Sequence, residues 1–179
     1  MKQESFDKKT MDEPEIIYGK PKDLDEKDKK LLILLERNAR TPISRLSKDI
    51  GLSRDAIKYR IDRLLENRIL LKFTTTVNPP NLGFSNISTV LISLWNLNPE
   101  KEDSFIGHIK NNPYITYFAR VGGRWDYTIE ITAKNPGHYD EILTGIRRKF
   151  SDIIKDYESI PLLKEYKMNQ FPYTGTQQI

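Results

Sequence analysis

The stretch Leu46-Ser47-Lys48-Asp49-Ile50-Gly51-Leu52-Ser53-Arg54-Asp55-Ala56-Ile57-Lys58-Tyr59-Arg60-Ile61-Asp62-Arg63-Leu64 decides how the first part of this chain folds. Gly51 stands where a helix C-terminus often needs a left-handed residue, Leu52 reads as a buried turn residue, and Ser53 can cap the next helix. In that next helix Ile57, Ile61, Leu64 and Arg68 fall at i, i+4, i+7 and i+11, so the apolar members face a core. Arg54, Lys58, Tyr59 and Arg63 then lie on other faces. A pair of helices joined by so tight a turn is a helix-turn-helix pattern.

Working toward the N-terminus, Ile43, Leu46 and Ile50 point inward from a short helix, with Thr41 as its expected cap and Pro42 at its first position. The loop Asn38-Ala39-Arg40 separates it from an earlier helix, which Asp25 can cap. Glu26 and Asp28 add carboxylates to that helix's first turn, and Leu31, Leu32 and Leu35 share a face. Residues 1–22 mix charges with Pro14, Gly19 and Pro21 and are expected to be a flexible arm, pinned at Ile16-Ile17-Tyr18.

Toward the C-terminus, Ile69 to Val77 is β-prone and is expected to form a wing or hairpin arm, stopped by Asn78-Pro79-Pro80. Beyond it the period changes from helical to β. Ile87 to Leu97 reads as a strand with apolar residues on both faces, 100–111 as a helix, and 114–121 and 125–133 as strands around Gly122-Gly123. Tyr139, Ile142, Leu143, Ile146 and Phe150 repeat at helical spacing, and 159–168 reads as a last strand whose Pro161 suits an edge or an irregular start. The order β-α-β-β-α-β gives an α+β chain: a winged helix-turn-helix followed by a ferredoxin-like sandwich with both helices on one sheet face. The expected divisions are an arm at 1–22, a helix-turn-helix domain at 23–72, a β arm and linker at 73–84, and the sandwich at 85–179. The sheet's other face has two possible covers: a second copy, making a homodimer, or the arm or first domain.

Composition narrows the function classes. The chain has 179 residues, 37% of them hydrophobic, enough for one fair-sized domain or two small ones. No apolar run approaches the ~18 residues of a membrane span and the N-terminus lacks a signal-peptide core, so an unsecreted, cytoplasmic protein that avoids membranes is expected. Without cysteine there is no disulfide, thiolate nucleophile or Cys-based zinc site, and His108 and His138 are too isolated for a His-built metal centre; no metal and no cofactor are expected. The net charge of +4 is unevenly placed: Leu24 to Lys72 carries 13 Lys+Arg against 8 Asp+Glu, while Phe73 to Ile179 carries 11 of each. That surplus suits contact with a polyanion, or alternatively a solvated, salt-bridged helical face.

A helix-turn-helix places its second helix in the major groove of duplex DNA, with the leading residues toward base edges. Ser53, Arg54, Lys58 and Tyr59 occupy that leading portion: Arg54 can bind guanine, Ser53 can cap and reach a phosphate, and Lys58 and Tyr59 suit base or backbone contacts. Arg40, Arg45, Arg60 and Arg63 suit phosphate contacts, with a second reading for Arg60, that it pairs with a nearby acid and holds the helix.

The pattern Leu24-Asp25-x-x-Asp28-x-x-Leu31-Leu32-x-x-Leu35, Asn38-Ala39-Arg40, Leu46-Ser47-x-x-Ile50-Gly51-Leu52-Ser53-x-x-Ala56-Ile57-x-x-Arg60-Ile61-x-Arg63-Leu64 resembles the Lrp/AsnC family of transcription regulators, and the resemblance runs from Leu24 to about Lys167. It implies a homodimeric, sequence-specific DNA-binding regulator, alone or as an assembly of dimers, modulated by a small molecule such as an amino acid. The family's sensing loop, a glycine followed by an aromatic and an aspartate, is similar to Gly123-Arg124-Trp125-Asp126, although Arg124 departs from the acidic or neutral residue common there. Gly122 and Gly123 permit positive φ, exposed N–H groups can hold a carboxylate, Trp125 can wall an apolar pocket, and Asp126 can accept from an amino group. The plainer reading is a glycine turn with Trp125 in the core and Asp126 bonded locally. No catalytic constellation is visible, so a non-enzyme is expected. The alternative is a siroheme-decarboxylase-like enzyme of the same layout, against which Arg147-Arg148 lacks the adjacent histidine.

Overall fold

The computed structural model describes Ile16 and residues 19–167, and within these the chain divides into two compact units, with the division between Thr76 and Val77. The arm expected over residues 1–22 lies outside the described residues except for Ile16 and 19–22, which are exposed and in no regular element.

The first unit holds α1 (Glu26–Arg37), α2 (Ile43–Ile50) and α3 (Arg54–Glu66). Asp25 begins α1 through a reciprocal capping box: its carboxylate accepts from the Asp28 N–H at 2.7 Å, and the Asp28 carboxylate accepts from the Asp25 N–H at 3.4 Å. Leu31, Leu35, Leu46, Ile50, Ile57 and Leu64 make the core, with Leu32, Ile43 and Ile61 packed at its margin. Each fully buried aliphatic side chain contributes roughly 1.5–3 kcal/mol relative to leaving it in water, so this small unit rests on few residues.

Some expectations need correction. Pro42, not Thr41, is the N-cap of α2; the Thr41 hydroxyl donates back to the Asn38 carbonyl at 2.7 Å, so no side-chain oxygen caps the helix. Arg68 falls beyond the end of α3, in a left-handed conformation with φ 55°. No wing forms: among the described residues Ile69 to Val77 takes neither strand nor helix. A β-prone segment becomes a strand only when another strand supplies its hydrogen bonds, and no described segment of this chain does.

The second unit opens with a 3₁₀ turn at Pro79–Leu82, closed by left-handed Gly83. Then come β1 (Asn86–Leu94), α4 (Pro99–Lys110), β2 (Ile115–Arg120), β3 (Tyr127–Ala133), α5 (Pro136–Lys149) and β4 (Ile154–Pro161). Asn98 and Asn135 cap the two helices, each ahead of a proline. The sheet order is β2-β3-β1-β4 with every pair antiparallel, as the β-α-β-β-α-β reading requires. Val90, Ile92 and Leu94 of β1 and Tyr127, Ile129 and Ile131 of β3 pack with Phe105, Ile109, Leu143 and Ile146 of the helices. On the opposite face Ile87 and Leu91 are half-buried, and Tyr117 and Ile160 are exposed.

The last strand runs over 154–161 rather than 159–168. It carries the charged Lys155, Asp156 and Glu158 because β4 is a sheet edge, where charges discourage pairing with foreign strands. Pro161 ends the strand instead of starting it, opposite Ser88. No helix among the described residues is long and apolar enough to cross a membrane.

Candidate nucleic-acid interface and sensor loop

The turn between α2 and α3 follows from Gly51, whose φ of 75° and ψ of 43° are left-handed. Its N–H and that of Leu52 both donate to the Ser47 carbonyl, at 3.0 and 3.1 Å. The Ser47 hydroxyl donates to the Leu52 carbonyl at 2.5 Å, sealing the turn with a side chain. Ser53 then caps α3, its hydroxyl oxygen accepting from the Ala56 N–H at 3.2 Å. The cap leaves Arg54, Lys58 and Tyr59 exposed, and Tyr59 at 66% has no packing role that accounts for an aromatic residue there. Positive helix-dipole charge gathers at this same end.

At about 100° per residue, Ile57 and Leu64 define the buried line of α3, Arg54 and Lys58 lie to one side of it, and Arg60 and Arg63 to the other. The exposed side faces solvent. The other faces α1: Arg60 Nη1 donates to Asp28 Oδ1 at 2.6 Å and to both Asp25 oxygens at 2.9 and 2.8 Å, while Arg63 Nη2 donates to Asp28 Oδ2. The Arg60 side chain is only 19% exposed and lies against two acids, the pairing that the second sequence reading described. Arg63, expected to meet phosphate, is likewise tied to Asp28, with its side chain 38% exposed. The Asp28 amide and the Arg60 guanidinium hold the Asp25 carboxyl below its ordinary range, and these acids raise Arg60 in turn.

Arg40 is exposed on the α1–α2 loop. Arg45 is exposed on α2, where its Nε donates to Asp49 one turn on at 2.8 Å. Sequence reading missed Asp28 as anything but a first-turn acid. Its signal was periodic: Asp28, Leu31 and Leu35 fall at i, i+3 and i+7, which places the carboxylate on the apolar stripe.

In the second unit Gly122, Gly123 and Arg124 are exposed, while Trp125 and Asp126 are half-buried. Of the pair only Gly123 uses the positive φ that both permit, at 105°. Arg124 stacks on Trp125 with its guanidinium carbon 4.7 Å from the ring centroid, and its Nη2 reaches Asp156 Oδ2 of β4 at 3.3 Å. Asp126 Oδ2 accepts from the Leu94 N–H at 2.7 Å, a bond to the end of β1 and not one within the loop. Beside the loop, the Tyr127 hydroxyl donates to Glu102 Oε1 at 2.5 Å, and burial with that carboxylate pushes the phenol up to about 12.

Each histidine has contacts of its own. His108 Nδ1 lies 3.1 Å from Lys149 Nζ, and burial with that ammonium lowers its pKa. His138 Nδ1 accepts from the Lys134 N–H at 3.2 Å. Among the described residues no group of acids and histidines could hold a metal ion.

Comparison with known proteins follows this division. Residues 24–65 match the model of the AsnC-type helix-turn-helix domain, and 88–171 that of the Lrp/AsnC ligand binding domain. The chain is 38% identical to the transcriptional regulator AzlB of Bacillus subtilis over 116 residues, covering 65% of this chain and 74% of that one. It is 30% identical to the HTH-type transcriptional regulator FL11 of Pyrococcus furiosus over 120 residues, covering 67% and 78%. In fold it is similar to a transcriptional regulator of Neisseria meningitidis solved in complex with L-Met, with a TM-score of 0.76, 19% identity, and coverage of 84% of this chain and 97% of that one.

Proposed function

The chain belongs to the Lrp/AsnC family of transcription regulators, and from that premise we propose that α3 reads base edges in the major groove through Arg54, Lys58 and Tyr59. The observation that carries this reading is the exposure of those side chains on a helix whose start is fixed by left-handed Gly51 and the Ser53 cap. Arg54 is the residue suited to bidentate binding of guanine. Arg40 and Arg45 meet phosphates, which set register without reading sequence. Ser53, with its hydroxyl on the Ala56 N–H, supplies the positive helix end to a phosphate.

In this reading two copies pair through the open sheet face, where Ile87, Leu91, Tyr117 and Ile160 remain uncovered or half-covered within one chain. Pairing sets the distance between recognition helices, and half-sites about 34–36 Å apart match successive major grooves. The ligand class is an amino acid, held at the Gly122, Gly123, Trp125 and Asp126 loop. Its support is the ligand-binding model matched over this unit and the L-Met complex of the Neisseria protein of the same fold. Because Asp126 already accepts from Leu94, the loop's exposed backbone N–H groups are its free polar resource, and they suit a carboxylate.

The test is selection of bound duplexes from genomic fragments with and without an amino-acid mixture, followed by footprinting of Arg54→Ala and Lys58→Ala. Both variants lose the specific footprint while remaining folded. The logarithm of affinity falls steeply with the logarithm of salt, by about 0.9 per neutralised phosphate. An unchanged footprint, or a flat salt response, rejects the reading.

A further inference from the structure

We propose that Asp28 is a positioning residue for DNA reading: from inside the first unit it holds Arg60 and Arg63, and so fixes the rotation of α3 that aims Arg54, Lys58 and Tyr59 at the duplex. The inference rests on the reading of α3 given above and adds to it the part that orients the helix.

Asp28 is 1% exposed, on the first turn of α1, and its two oxygens are divided between two arginines of α3. A buried carboxylate is tolerated where both oxygens meet cationic donors, and a charge-assisted pair of this kind is directional. The aliphatic core is not. Leu31, Leu35, Ile57 and Leu64 hold α1 against α3, but apolar contact sets a separation more firmly than a rotation. Side-chain ends sit about 6 Å from a helix axis, so a turn of roughly 20° displaces them by about 2 Å, enough to break any hydrogen bond to a base. Arg60 and Arg63, one turn apart on the flank away from Arg54 and Lys58, remove that freedom. Asp25 completes the arrangement, since its carboxylate caps α1 and also receives Arg60.

The same contacts keep two cations out of general use. Held by Asp28, and Arg60 by Asp25 as well, these arginines are withheld from phosphates that any sequence would offer. Loss of the acid therefore has opposite effects on selective and unselective binding, which a merely structural role would not produce.

The experiment compares the full chain with Asp28→Asn on a duplex selected by the wild type from random-sequence DNA and on an unrelated duplex of equal length, across a salt series. Expected is a fall in the affinity ratio of roughly tenfold or more. Affinity for the unrelated duplex is equal or higher, and the salt slope steeper by about one phosphate, since Arg63 is freed while Asp25 still holds Arg60. Arg60→Gln lowers the ratio without steepening the slope, and the double variant loses little more than the worse single one, since one contact is removed twice. If Asp28→Asn fails to fold, Arg60→Lys is read instead; it keeps the charge but its ammonium ends short of the reach of Arg60 Nη1, on which all three acid contacts converge, and it lowers the ratio with a melting temperature near wild type. An unchanged ratio, or a parallel fall on both duplexes, overturns the inference while leaving α3 as the reading helix. A wild-type chain that holds no duplex overturns that reading and this inference together.

Discussion

The Asp126 carboxylate and the Leu94 backbone are joined: Oδ2 of the one accepts from the N–H of the other at 2.7 Å. The Asp126 N–H in turn donates to the Ile92 carbonyl at 2.9 Å, so the residue that closes the Gly123 loop is bonded to the end of β1 in both directions. The loop's shape therefore depends on the strand at the centre of the sheet.

Asp126→Asn and Asp126→Ala separate that anchoring from direct ligand contact. An asparagine oxygen can still accept from Leu94, so its stability to urea stays within about 0.5 kcal/mol of wild type, and response to the effector persists. Alanine leaves the N–H without its acceptor, costs about 1–3 kcal/mol, and loses the response with the loop's shape. Calorimetric titration with amino acids and urea unfolding check both. A response lost in the asparagine variant, with stability retained, would make the carboxylate itself the ligand's partner.

The adjacent glycines predict a contrast. A Cβ added at either meets no atom within 4 Å, so neither substitution clashes, but Gly123 has φ 105° and Gly122 has no positive φ. Gly123→Ala costs about 1 kcal/mol or more in backbone strain, whereas Gly122→Ala is neutral or slightly stabilising because it restricts the unfolded chain. Thermal melts of the two variants, side by side, check the sign of each.

These differences also show what sequence can carry. Periodicity located α1, α2, α3 and the β-α-β-β-α-β order because each element has an apolar face, and Gly51 and Ser53 were legible because their backbone chemistry is local. Arg60 and Asp28 were not both legible: their pairing spans distant positions in the chain, and a charge on an apolar stripe shows only that it needs a partner, not which one. β4 was misplaced because an edge strand with Lys155, Asp156 and Glu158 lacks the alternation that marks a half-buried strand. The absent wing has the complementary cause, since Ile69 to Val77 has strand composition but no strand beside it among the described residues.

Acid should weaken the first unit through Asp25. Its pKa is lowered from 3.8, chiefly by the Asp28 N–H and then by Arg60. A carboxyl depressed on folding adds stability that is complete above its unfolded value and is lost as pH falls through the folded one. Asp25→Asn keeps an N-cap but removes the charge. Its melting temperature is therefore below wild type near pH 7, and the gap closes below about pH 4 as the wild-type acid protonates. Circular-dichroism melts across that range measure the gap; one that persists undiminished at low pH would show that the charge is not its source.

Leu91→Arg tests the proposed pairing of two copies through the open sheet face. Leu91 sits on β1 between Thr128 of β3 and Glu158 of β4, on the face away from the helices, and is half-buried in one chain. In a lone chain an arginine there remains hydrated and can pair across strands with Glu158, worth about 0.2–1 kcal/mol, so the unit stays folded around Val90 and Ile92. Against a second copy the same side chain is driven into an apolar interface twice, once from each partner, and burying a charge without a full set of partners costs several kcal/mol. Sedimentation therefore shows the variant at the mass of one chain where the wild type runs at twice that, with the melting transition of the sheet retained. Binding to paired half-sites falls more than binding to a single half-site, because only the former depends on two recognition helices held at a fixed spacing. A variant that still sediments as a pair would reject this sheet face as the contact.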